Sequence, residues 1–190
     1  MSEINNKYTI YEKKFHYVNW IGFWTLYKKE VLRFLIVIIQ TVISPLVTSL
    51  LFLLVLSLAI GNDRGEVLGF PFITFLAPGL IAMQVIQQGF SHSSSSIMIG
   101  KIQGNIVDIL YAPMTAGEIT LAINLASCTR SIMIAAASIV VFTFLVELEF
   151  YNFLYIFIFT FLGSFILSSI GIIIGLWAEK FDHMASATNF

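Results

Sequence analysis

Long apolar segments separated by short polar ones make up most of the chain beyond residue 34. Four of these segments, residues 35–60, 72–100, 119–146 and 152–177, are long enough to cross a bilayer, which takes about 20 residues in a helix. A soluble core would interrupt them with polar residues every few positions, whereas lipid removes the need for a polar face. The pattern therefore predicts an all-α, polytopic bundle of four transmembrane helices.

A helical pattern also precedes the first predicted span. Aromatic and aliphatic residues recur there at three- and four-residue spacing, and basic residues fall largely on another face. The first set is Trp20, Trp24, Tyr27, Val31 and Phe34, and the second is Lys28, Lys29 and Arg33. This distribution is typical of an amphipathic helix in the headgroup region, and the alternative is a cytosolic helix packed on another element. Residues 1–17 are polar and charged, which predicts a cytoplasmic tail ahead of a transmembrane domain over residues 18–190.

Charged residues are few and unevenly distributed. The chain is 11% charged and 58% hydrophobic, whereas a soluble domain has roughly 25% charged residues. Eight Lys and Arg residues fall on the N-terminal side of the predicted topology and one on the opposite side, which predicts a cytoplasmic N-terminus in the inner membrane. The eight are Lys7, Lys13, Lys14, Lys28, Lys29, Arg33, Lys101 and Lys180, and the one is Arg64. The net charge of −1 offers no basic field for nucleic acid.

Several polar side chains lie inside the predicted spans, and these are the candidate functional residues within the membrane: Gln84, Gln88, His92 and Arg130. A buried guanidinium costs at least about 2.5–3.5 kcal/mol, so Arg130 faces either a partner or water, or it snorkels from a position nearer the interface. The possible partners are Glu118, three turns away on the same helix and therefore poor, or a group on another helix.

The sequence contains no pattern that indicates an enzyme. His92 is followed by four serines, Ser93 to Ser96, but no carboxylate stands nearby and no nucleophile motif is present, so these hydroxyls are expected to line a helix contact or a polar path. No phosphate-binding loop occurs, and the three histidines have no metal-ligand spacing. We therefore expect no catalytic residue, no metal and no cofactor.

The polar segment between the second and third predicted spans has a regular pattern of its own. Its apolar positions are Ile102, Ile106, Ile109 and Leu110, and Asn105 and Asp108 lie between them. This spacing predicts a short amphipathic helix parallel to the membrane, ended by Ala112-Pro113, which would offer a docking surface to a soluble partner. An ordinary loop between spans is the alternative.

Residues 104–114, Gly-Asn-Ile-Val-Asp-Ile-Leu-Tyr-Ala-Pro-Met, resemble the cytoplasmic-loop motif of ABC-2 type transporter permeases, R-N-x-[ED]-[ED]-L-L-x-[AS]-P. Residues 24–30, 75–80 and 178–182 agree with the same family in order along the chain. Two positions depart from the motif: Gly104 stands where the family usually has Arg, and Val107 where an acid is common.

The resemblance implies a six-span permease subunit that forms a homodimer and sits on two ABC ATPase subunits. The amphipathic N-terminal helix would be its connecting helix, and residues 101–113 its coupling helix. The residues that would contact the ATPase are Asn105, Asp108, Leu110, Ala112 and Pro113. The last two spans of the family are not in the sequence, which suggests truncation at the C-terminus. The expected function is the permease of an ATP-driven exporter; the alternative is a non-transporting scaffold or an inactive relic.

Overall fold

The computed structural model describes residues 18–188 apart from 61–65, 68, 147 and 149. The predicted cytoplasmic tail, residues 1–17, lies outside the described residues. Within the described part, seven helices and one short hairpin follow one another along the chain. They are α1 Trp20–Ile36, α2 Ile38–Ile60, β1 Glu66–Val67, β2 Phe70–Pro71, α3 Phe72–Ile102, α4 Ile106–Tyr111, α5 Ala116–Thr143, α6 Phe153–Trp177 and α7 Phe181–Thr188.

Four of these helices, α2, α3, α5 and α6, are long and apolar enough to cross a membrane, which confirms the predicted all-α bundle. The predicted boundaries of two spans were wrong. The first apolar helix begins at Ile38 because α1 continues to Ile36 and Val37 breaks the helix. The third begins at Ala116 rather than residue 119, because Thr115 caps it and starts it earlier.

Helix α3 lies at the centre and packs against α6, α5 and α2. Helices α3 and α6 approach closely because α6 carries small residues on one face. A Cβ added to Gly175 would lie 2.9 Å from the carbonyl oxygen of Ser94, and one added to Gly171 would lie 2.6 Å from that of Phe90. The backbones of α3 and α6 therefore approach each other most closely where these two glycines lie.

Two apolar cores lie at opposite ends of the bundle. Leu53, Ala77, Phe142 and Val146 form the core at the hairpin end, where β1 and β2 pair. Ile97, Ile123 and Ile172 form the core at the other end, beside α4. Between the two cores the helix contacts are largely polar, and this middle zone holds the candidate residues.

Helix α1 packs on α5, and its contacts advance in the same direction along both helices. Asn19 contacts Glu118, and Tyr27 shares a hydrogen bond of 2.9 Å with Thr129. The side chains of Trp20 and Trp24 remain exposed. One face of α1 thus packs on α5, as the alternative of a helix packed on another element predicted. The exposed tryptophans on its other side agree with a helix in the headgroup region.

Candidate functional site

A group of polar side chains joins α1, α3 and α5 near the middle of α5, and we call it the polar cluster. Its members are Glu30 and Arg33 of α1, Gln88, His92 and Ser96 of α3, and Arg130 of α5. The three α3 residues recur every four positions, so they form one helix face that reaches both neighbouring helices. The side chains of Glu30 and His92 are only 3% and 1% exposed, so the centre of the polar cluster is buried between the helices.

Arg130 takes its partners from another helix. Its Nη2 donates a hydrogen bond of 2.8 Å to Oε1 of Gln88, and its Nη1 lies 3.3 Å from Nδ1 of His92. Because a guanidinium only donates, Nδ1 accepts, and the imidazole proton of neutral His92 is on Nε2. Glu118 is not the partner of Arg130, because both of its carboxylate oxygens are bonded elsewhere.

The carboxylate of Glu30 contacts the remaining members of the polar cluster. Its Oε2 accepts a hydrogen bond of 2.7 Å from Ser96 and lies 3.0 Å from Nη2 of Arg33. The same oxygen is 3.8 Å from Nε2 of His92. Sequence reasoning missed Glu30 because it considered only the apolar and the basic residues of α1. In the structure Glu30 is buried on the packed face, between Leu26 and Phe34.

The polar cluster carries more positive than negative charge. Two guanidinium groups, Arg33 and Arg130, face one carboxylate, and Glu30 is paired with Arg33. Within the described residues Arg130 has only neutral partners, and no hydrogen bond is made by Nε of either arginine. A charge in a low-dielectric setting acts over longer distances than at a water surface, so this excess is felt by groups nearby.

Gln84 makes a second polar connection, between α2, α3 and α5. Its Nε2 donates a hydrogen bond of 2.5 Å to the carbonyl oxygen of Pro45, and its Oε1 accepts one of 2.7 Å from Ser138. Pro45 lies inside α2 and cannot donate a backbone hydrogen bond. Gln84 therefore fixes the middle of α2 to the bundle, so its role in the structure is a helix contact.

At the second candidate region, α4 connects α3 to α5 as a separate short helix, as the spacing predicted. The predicted bounds of this helix, 101–113, were too wide, because Lys101 and Ile102 belong to the end of α3. Ala112 caps it in an extended conformation before Pro113, which is where the helix was expected to end. Gly104 has a φ of 76°, a left-handed conformation that strains residues with side chains. This conformation gives a physical reason for glycine at a position where the family usually has arginine.

The side chains of α4 that were singled out from the sequence are mostly exposed. Leu110 is 69% exposed and its neighbour Tyr111 is 85% exposed. Asp108 and Asn105 are exposed as well, and the amide of Asn105 donates to Gln103. Ala112 is half-buried, and the carbonyl oxygen of Pro113 accepts a hydrogen bond from Asn19.

The start of α1 is bonded to the turn that follows α4. Oε1 of Glu118 accepts a hydrogen bond of 2.5 Å from the backbone N–H of Asn19, and Oε2 accepts one of 2.6 Å from that of Thr115. One carboxylate therefore lies at the N-terminal ends of both α1 and α5, where helix dipoles favour negative charge. The Thr115-x-x-Glu118 spacing of a capping box was a visible signal for part of this arrangement.

Four apolar spans with a buried polar zone define a multi-pass helical membrane protein. The family model of the ABC-2 type transporter matches residues 21–190, so the chain belongs to that family. It is a membrane transport permease by this relationship, in agreement with the resemblance that residues 104–114 carry.

Curated relatives match over most of the chain. The inner membrane transport permease YadH of Escherichia coli strain K12 is 26% identical over 171 residues, which are 90% of this chain and 67% of the relative. The permeases of the same name from Escherichia coli O157:H7 and Shigella flexneri match to the same extent. No solved structure matches the chain.

Proposed function

We propose that this chain is the permease subunit of an ATP-driven exporter in the inner membrane, and that a separate ABC ATPase subunit docks on α4. Residues 18–190 would be its transmembrane domain. ATP hydrolysis would take place on the partner, and a homodimer of the permease would form the pathway. The observation that carries the proposal is the exposed apolar surface of α4, formed by Leu110 and Tyr111.

Helix α4 lies outside the four apolar helices, so this surface is not part of a membrane-crossing segment. Apolar side chains exposed together on a polar segment favour contact with another protein. Asp108 adds an exposed carboxylate on the same short helix, which gives such a contact a charged rim. The family relationship supports an ABC ATPase as that partner.

The contacts at the start of α1 support coupling between the docked ATPase and the spans. A displacement of α4 acts on the turn at Pro113, which is bonded to Asn19. Asn19 in turn is bonded to Glu118, the first buried residue of α5. Motion imposed on α4 would therefore reach α1 and α5 together.

The orientation that this function needs has a cytoplasmic N-terminus. Four spans return the chain to its starting side, so α1, α4 and α7 would all face the cytoplasm, as the distribution of Lys and Arg favours. A cysteine introduced at Ser186, which is exposed on α7, should then react in inverted membrane vesicles and not in intact cells.

The test of docking is co-purification of the tagged full chain with candidate ABC ATPase subunits of the same genome. The variant Asp108→Lys with Leu110→Asp reverses the rim charge and removes the apolar contact, and it should lose the ATPase. The matched control is Asp182→Lys with Ser186→Asp on α7, which makes the same change of net charge on another exposed helix.

Retention by the wild type and by the control, with loss in the α4 variant, supports the proposal. Retention by all three would refute docking on α4. Absence of any ATPase in the wild-type sample would instead favour the non-transporting scaffold or relic.

A further inference from the structure

A groove of about 290 Å³ runs between α2 and α3 and lies beside the polar cluster. Its lining combines hydroxyl and amide groups with apolar side chains. The lining includes Ser44 and Phe52 of α2 and Leu80, Gln88 and Ser91 of α3. Among the residues that the structure describes, no Asp, Glu, Lys or Arg lines the groove, so its electrostatic potential comes from charged groups beyond the lining.

The two ends of the groove differ in polarity. Helices α2 and α3 run in opposite directions, as successive spans joined by a hairpin must. Ser44 therefore lies at the end of the groove that holds Gln88 and Ser91, and Phe52 lies at the end that holds Leu80. Eight residues separate Ser44 from Phe52 on α2, which is about 12 Å along a helix. The groove thus offers a polar end and an apolar end about one short acyl chain apart.

Arg130 makes the electrostatic potential at the polar end of the groove positive. The guanidinium donates to Oε1 of Gln88, so the Nε2 group is the part of this amide left for the groove. Gln88 therefore presents a hydrogen-bond donor, and the positive charge that orients it lies directly behind. Because the polar cluster carries one more positive than negative charge, an approaching anion is attracted and a cation is repelled.

We propose that the α2–α3 groove binds an anionic amphiphile, with its oxygen-rich head group against Gln88 and Ser91 and its alkyl chain against Phe52 and Leu80. This inference rests on the proposed transport function in that it names the class of substrate. Its structural basis is separate from α4, because the residues that line the groove all belong to α2 and α3.

The test uses thiol labelling of the purified full chain in a neutral maltoside detergent. The one native cysteine, Cys128, is buried, so a cysteine introduced at Ser91 is labelled selectively. Two methanethiosulfonates are compared, one with a sulfonate and one with a trimethylammonium group. The control is Thr143→Cys, which is exposed at the end of α5, about 20 Å along the helix from Arg130.

Relative to the control, Ser91→Cys should favour the anionic reagent by about tenfold. Addition of Arg130→Met should abolish this preference, whereas Arg130→Lys, which keeps the charge, should retain most of it. Dihexanoyl phosphatidylglycerol should slow the labelling of Ser91→Cys several-fold more than dihexanoyl phosphatidylcholine, because the two lipids differ only in head group. If Arg130→Met does not fold, the lysine variant and the lipid comparison still decide.

Three results would overturn the proposal. The first is no reaction at Ser91→Cys with either reagent while Thr143→Cys reacts, which would mean that a second copy or detergent covers the groove. The second is a reagent preference equal to that of the control. The third is equal protection by the two lipids. All measurements are made without an ATPase, so failure of docking on α4 leaves this outcome unaffected.

Discussion

The contact between α3 and α6 predicts opposite effects for the same substitution at two glycines of α6. A Cβ added to Gly171 would lie 2.6 Å from the carbonyl oxygen of Phe90, about 1 Å closer than the ~3.5 Å of ordinary contact. That oxygen belongs to the backbone of the central helix, so it cannot rotate away as a side chain could. Gly171→Ala must therefore separate α3 from α6 or distort one of them.

Gly163 on the same helix provides the matched control. No atom of the described part of the chain lies within 4 Å of a Cβ added there. Replacement of glycine by alanine in a helix gains about 0.5–1 kcal/mol at either site. Overpacking costs about 1–3 kcal/mol at Gly171 alone, so the difference between the two variants isolates this packing term. We expect Gly163→Ala to be more stable than the wild type and Gly171→Ala to be less stable.

The measurement is thermal unfolding of both variants in the same detergent, followed by the fluorescence of the three tryptophans. Gly171→Ala should melt several degrees below Gly163→Ala. Equal melting temperatures, or a gain in stability for Gly171→Ala, would refute the close packing of α3 on α6 and with it the placement of the polar face of α3.

Three further substitutions, each measured by thermal unfolding, test the contacts of α1 and those at the end of the bundle beside α4. Tyr27→Phe removes the hydroxyl bonded to Thr129 and should cost about 0.5–1.5 kcal/mol, and an unchanged melting temperature would argue against packing of α1 on α5. Glu118→Gln removes the charge at two helix N-termini and should lower stability, and a neutral result would contradict that shared cap. Lys101 donates to the last carbonyl groups of α6, so Lys101→Met should cost about 0.3–1 kcal/mol, less at high salt, and a salt-independent change would exclude the helix-terminus effect.

The spans and α4 could be predicted from the sequence because their signals are local. Each of the four long apolar segments, and the end of α4 at Ala112-Pro113, can be recognised from residues within a single helix length. The structure confirms both predictions. The predicted boundaries of the first and third spans were wrong because local backbone and capping effects, rather than hydropathy, determine where these helices begin. Val37 interrupts an apolar run without any change of polarity, and the cap at Thr115 starts a helix within a polar segment.

The partners within the bundle could not be predicted, because they depend on which helix faces another. For Arg130 the sequence left open a partner, water or snorkelling, and the structure shows that Gln88 and His92 of α3 are its partners. Glu30 was not foreseen, because its burial is acceptable only once Arg33 and Ser96 are folded around it. The sequence shows the cost of a buried charge, and only the fold shows what offsets it.

Helix α1 contacts both candidate regions, and this limits how they can move. Its first turn is bonded to the residues around α4 through Asn19, and Glu30 lies in the polar cluster eleven residues later, about 16 Å along the axis. Leaving a buried charge without its partner costs about 3–5 kcal/mol, more than one hydrogen bond at the helix start contributes. Any movement of α1 should therefore carry the polar cluster with it, and the break at Val37 is where α1 can turn relative to α2. Because Gln88 belongs both to this cluster and to the groove wall, such a movement would change the polar end of the groove first.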